Sequence, residues 1–181
     1  MKKVAHLFVA GLIMFALTGT AMAQMNVGFN GAGAKIGFVS PESGIGGTVG
    51  FGAVADLGTI TKSLYLRADL DFWSKSESAA VSYSELVLGA HVLYYFPMEN
   101  ATFKPYAGGG INFSRSSAKV DLGPYFGGST SSSSTDIGFD VVGGADYPIS
   151  PNMTGFVQVK YHADGFDYLG IFGGVIYNLS K

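Results

Sequence analysis

In residues 64–73, Leu64, Leu66, Ala68, Leu70 and Phe72 share one parity, while Arg67, Asp69 and Asp71 share the other. A period of two is the period of a β-strand. Three charges behind a wholly apolar face require oil on one side of the strand and a polar surround on the other. The same split recurs along the chain. Glu85, Gly89 and His91 oppose Leu86, Leu88, Ala90, Val92, Tyr94 and Phe96. Asp136, Gly138, Asp140 and Asp146 oppose Ile137, Phe139, Val141, Ala145 and Tyr147. Thr154, Gln158, Lys160 and His162 oppose Met153, Val157, Val159 and Tyr161, with Phe156 the exception on the polar side.

Eight such segments are predicted, at about 26–38, 45–56, 64–74, 82–96, 103–114, 135–147, 153–162 and 168–179. The first holds two parities, because Val27 and Phe29 match Lys35 whereas Ala32, Ala34, Ile36 and Phe38 do not; a glycine bulge near Gly31 or Gly33 would reconcile them. The connections at 57–63, 97–102 and 148–152 are expected to be compact turns. Residues 75–81 and 115–134 are expected to be longer loops at the opposite end, with the Ser/Gly-rich run 127–135 a flexible tip.

Alternation also suits a soluble barrel with its oil inside, so the interior volume decides. Eight strands leave room only for side chains. The apolar parity here carries large Leu, Phe, Tyr, Val and Ile residues, and the polar parity carries glycines and a few charges, which fits oil outside. Aromatics near segment ends form two expected girdles: Tyr94, Tyr95, Phe96, Phe103, Tyr106, Tyr147 and Tyr177 at the short turns, and Phe72, Trp73, Tyr83, Phe113, Tyr161 and Tyr168 at the long loops. A sheet survives in hydrocarbon only if no edge is left unpaired, so the strands must close.

Composition excludes several other classes. Eleven Lys and Arg against 13 Asp and Glu leave no basic patch for nucleic acid. The absence of cysteine removes disulfides, thiolate metal sites and cysteine nucleophiles. The N-terminus has Lys2 and Lys3, an apolar stretch at 4–17 and an Ala21-Met22-Ala23 cleavage pattern, so residues 1–23 are expected to be a secretory signal peptide and 24–181 the barrel domain. No later stretch is long and apolar enough for a membrane helix.

The segments Lys104-Pro-Tyr-Ala-Gly-Gly-Gly-Ile-Asn-Phe113, 138–148 and 155–162 resemble the small eight-stranded outer-membrane β-barrels of the OmpA/OmpX-like family of Gram-negative bacteria. The resemblance spans nearly all of residues 24–181. It implies an all-β, antiparallel, up-and-down transmembrane barrel in the outer membrane, in contact with lipid and lipopolysaccharide and delivered by the barrel assembly machinery. Family members usually end in an aromatic residue; this chain ends Tyr177-Asn-Leu-Ser-Lys181. A monomer without nucleic-acid partners is expected.

Candidate chemistry is sparse. Outer-membrane lipid A deacylases, also eight-stranded barrels, carry His-x-Ser-Asn in a late strand, but this chain has His162-Ala163-Asp164 and no serine at that spacing. His91, Asp69, Asp71, Glu85, Asp136 and Asp140 could gather as a metal cluster. With Lys35, Arg67, Lys104 and Lys160 on the same inner face, ion pairing is the expected outcome. Asp164 and Asp167 around Gly165 are expected to form a turn, since EF-hand spacing is missing. No catalytic, cofactor or metal residue is assigned from the sequence. The expected role is non-enzymatic, either envelope integrity or surface contact and adhesion through the loops, with host or surface ligands as partners. A narrow pore or small-molecule carrier is the alternative, and a lipid-modifying enzyme a third.

Overall fold

The structure is a computed structural model and describes residues 25–42, 44, 46–78, 80–99, 102–121 and 128–179. The signal-peptide expectation for 1–23 lies outside them. Eight strands follow one another: β1 (Asn26–Pro41), β2 (Thr48–Thr59), β3 (Leu64–Ser76), β4 (Val81–Tyr95), β5 (Lys104–Asp121), β6 (Ser129–Ser150), β7 (Met153–Ala163) and β8 (Tyr168–Asn178). Each pairs antiparallel with its neighbours, and β1 closes on β8 from Gly31↔Asn178 to Pro41↔Tyr168.

The faces point as the alternation requires. Ile36 (63% exposed), Ile111 (59%), Ile137 (76%) and Val141 (54%) stand outward, while Lys35, Asp69, His91, Asp140 and Lys160 are buried inside. An apolar belt that continuous has no counterpart on a water-soluble surface and matches the lipid-facing band of a membrane barrel. The two parities of β1 are reconciled by a register shift between Val27 and Gly31, just before the expected glycines. Val27 and Phe29 thereby stay exposed outside, and Gly31 and Lys35 turn inside. Opposite this, the β2–β3 ladder slips between Asp56 and Thr59, where Gly58 adopts φ 88° and donates its N–H to Asp56 Oδ1 at 2.8 Å. A β-carbon at Gly58 would collide with the Asn26 carbonyl.

Three expectations are corrected. First, most of 115–134 is strand: Arg115↔Thr135 through Asp121↔Ser129 continue the β5–β6 ladder. Backbone hydrogen bonds extend a hairpin without any packing, and Ser and Thr tolerate the extended conformation. Second, the contrast between the two ends is not one of loop length. The 96–103 connection, expected to be compact, separates two strands by more residues than any connection at the other end, and Pro148 lies within β6, leaving only 151–152 as its turn. Third, the girdles are thinner than expected. Tyr94, Phe96, Phe103, Tyr147 and Tyr177 are exposed near the chain termini, but Tyr106, Trp73 and Tyr168 are 2% exposed or less and face inward. Trp73 follows outward Phe72 and Tyr106 precedes outward Ala107, so strand parity overrides position along the axis.

Candidate functional site

The lumen is filled in layers. At the end nearer the termini, Arg67 lies 2.7 Å from Asp146 and donates to the Tyr95 hydroxyl at 2.9 Å, and Tyr95 in turn donates to Asp146 at 2.5 Å. The guanidinium also sits over the rings of Tyr106 (5.2 Å) and Phe156 (5.5 Å). Phe156, the exception in the alternation, is thus a lumen residue, packed with Val54 and Ile176. Lys104 is exposed at the mouth and lines a cavity of about 200 Å³ with Asp56, Tyr65, Tyr95 and Asp146, rather than joining the buried ions.

The middle layer is an ion lattice. Lys35 Nζ contacts Asp69 (2.7 Å) and Asp71 (2.8 Å), and Lys160 Nζ contacts Asp71 (2.7 Å), Asp69 (3.2 Å) and Asp140 (3.3 Å). Asp140 accepts from Asn112 at 2.8 Å and faces His91 Nε2 at 2.7 Å and His162 Nδ1 at 2.8 Å. Unpaired charge in such an enclosure costs several kcal/mol per ion, roughly, so the lattice holds together only as a set. The expected pairing is therefore present for Asp69, Asp71, His91 and Asp140. Asp136 is not part of it; its carboxylate accepts from Ser134 at 2.6 Å near the far end of β6.

Above the lattice, Glu85 accepts from Trp73 Nε1 (2.9 Å) and Ser116 Oγ (3.2 Å). His162 Nε2 points toward Asp164 Oδ2 at 3.1 Å and Glu85 Oε1 at 3.7 Å. Ser114 Oγ donates to Asp164. Parity reasoning along one strand could not find this grouping, since Ser114 and Glu85 come from β5 and β4 and Asp164 from a loop. The serine hydroxyl here is held by the acid and not by the imidazole, so the order needed to activate a serine nucleophile is not met. Asp164 and Asp167 form the expected turn: Asp167 Oδ1 accepts from the Asp164 and Gly165 amides (3.1 and 3.0 Å), and Gly165 has φ 106°. Burial alone would raise the Asp164 carboxyl, but the facing His162, the Ser114 hydroxyl and the Phe166 amide hold it down at about 2. Val39, Trp73, Val87, Tyr168 and Phe172 cap the lumen, with Phe166 stacked on Trp73 at 5.7 Å.

Residues 57–179 match the family model described as "Opacity family porin protein". No curated protein sequence matches the chain significantly. Among solved structures, Neisserial surface protein A (NspA) is similar at 22% identity and TM-score 0.63, covering 83% of this chain and 96% of that one. OprG from Pseudomonas aeruginosa is similar at 11% identity and TM-score 0.59, covering 87% and 100%. Ail, the attachment invasion locus protein of Yersinia pestis, is similar at 15% identity and TM-score 0.52, covering 83% and 99%. At these identities the likeness is one of fold.

Proposed function

The chain belongs to the Opacity porin family of outer-membrane β-barrels, and we propose that it is a non-enzymatic, non-conducting barrel acting by surface contact. The observation that carries this reading is the middle layer of the lumen, where two lysines and three aspartates span the interior at contact distance. A continuous water path would have to break those pairs, at a cost of several kcal/mol, roughly, for each orphaned ion. What such a barrel offers a partner is its rim. The serine-rich β5–β6 hairpin supports this, because above Phe113 and Ile137 its described side chains are polar except for Ala118 and Val120, and its outward face is polar throughout and so belongs in water.

In this reading the chain termini and the 151–152 turn lie in the periplasm, and the hairpin lies outside the cell. The barrel sits as a monomer in lipid and lipopolysaccharide through its apolar belt. The assembly machinery reads β8, whose Tyr177 (51% exposed) keeps an outward aromatic close to the C-terminus.

Two measurements test the proposal together. Protein reconstituted in planar bilayers should pass no steady current. Cells expressing it should adhere to host cells or matrix more than cells carrying a variant shortened by residues 117–133. Discrete conductance steps in the bilayer would establish the pore instead, and equal adhesion by the two strains would remove the hairpin from the function.

A further inference from the structure

Glu85, His162 and Asp164 converge beneath the β7–β8 connection, with one ligand-type atom from each all lying within 4.8 Å of one another. His162 is fully buried, and its Nε2 makes no hydrogen bond. The other ring nitrogen is already taken. Nδ1 lies 2.8 Å from Asp140 Oδ1, and an ionised carboxylate only accepts, so Nδ1 carries the hydrogen. Nε2, the ring's remaining ligand atom, faces two more carboxylates, Asp164 at 3.1 Å and Glu85 at 3.7 Å. Two carboxylates converging on one imidazole nitrogen are held together either by a second proton on the ring or by a cation seated among the three groups.

No Lys or Arg among the described residues supplies the charge. Lys35 and Lys160 are taken up by Asp69, Asp71 and Asp140, and Arg67 by Asp146. Both ammonium groups are spent on Asp69, Asp71 and Asp140, and neither reaches Glu85 or Asp164. The neighbouring trio of Asp69, His91 and Asp140 makes a useful contrast: it also clusters, but Lys160 Nζ already occupies it, 3.2 and 3.3 Å from its carboxylates.

We propose that Glu85, His162 and Asp164 bind a divalent transition-metal ion of the zinc class at the outer mouth of the lumen. Ligands about 2.0–2.1 Å from a tetrahedral ion stand roughly 3.3 Å apart, and the two separations from Nε2 fall on either side of that value. Asp140 supplies the outer contact that metal-bound imidazoles use, fixing the tautomer through Nδ1. One nitrogen with two carboxylate oxygens suits zinc and its neighbours better than magnesium or calcium, which take all-oxygen shells. The ion joins β4, β7 and the β7–β8 connection in one site.

The test uses the folded full-length mature protein in mild detergent, stripped with chelator and titrated with Zn²⁺ against a chromophoric competitor. One equivalent should bind. Glu85→Gln and Asp164→Asn, both near-isosteric, should each weaken binding by about tenfold or more while keeping the unboiled gel mobility of a closed barrel. Glu99→Gln, at the other end, should not change it. The Co²⁺ adduct should show visible absorption that changes in His162→Gln. Absence of saturable uptake by the folded protein, wild-type binding by both carboxylate variants, or displacement of Zn²⁺ by equimolar Mg²⁺ would each overturn the proposal.

Discussion

Gly89 stands directly across the β3–β4 ladder from Asp69, and a β-carbon on Gly89 would lie 2.5 Å from the Asp69 carboxylate, 2.7 Å from the His91 ring and 3.1 Å from Asp140. The missing side chain is the space in which the ion lattice meets. Gly89→Ala should destabilise the barrel by about 1–3 kcal/mol through overpacking. Chemical unfolding in detergent, followed by the fluorescence of the single, lumen-buried Trp73, measures it; an unchanged midpoint would mean that the lattice has slack the geometry does not show.

Lys160 touches three carboxylates. Lys160→Met should cost about 3–5 kcal/mol, because it orphans buried anions instead of removing a pair. Adding Asp71→Asn in the same chain should recover part of that loss. Additive costs in the double variant would show that the two groups do not depend on each other.

Depth in the bilayer gives the third expectation. Val141 and Ser133 share an outward parity on β6, but only Val141 lies within the apolar belt. Val141→Arg should cost about 2–4 kcal/mol and Ser133→Arg about 0–1. Equal penalties, measured by unfolding in lipid vesicles, would place the serine-rich stretch in hydrocarbon.

Orientation is checked by an epitope inserted after Ser131. The insertion breaks ladder rungs only in the hairpin, since the β6–β7 ladder begins at Phe139↔Ala163, and loop closure costs only about 0.6 kcal/mol per doubling of length. Antibody should label whole cells, and the gel mobility shift on boiling should persist. Labelling only after the outer membrane is breached would invert the topology.

The eight strands, their faces and the break in β1 were all legible as parity. Parity is a local property, and one buried face enforces it over a whole strand. The inward turn of Trp73 and Tyr106 is legible too, because parity outranks the habit of aromatics to gather at interfaces. Two features could not be read this way. The extension of the β5–β6 hairpin rests on backbone pairing that leaves no hydrophobic pattern. The Glu85, His162 and Asp164 grouping depends on how far the strands are staggered around the ring, which no single strand encodes.

Above Phe139, β6 has no ladder partner on its β7 side among the described residues, and Ser129–Thr135 are exposed along both faces. Exposed side chains of that kind answer to no described neighbour's shape, and among the described residues a change there is felt by the rungs shared with β5. Proline aside, the segment is therefore open to rapid drift in sequence, while the ring beneath it, where each side chain meets lipid or lattice, is held fixed. A lineage under pressure to alter what it displays could rewrite this patch many times over without renegotiating the fold.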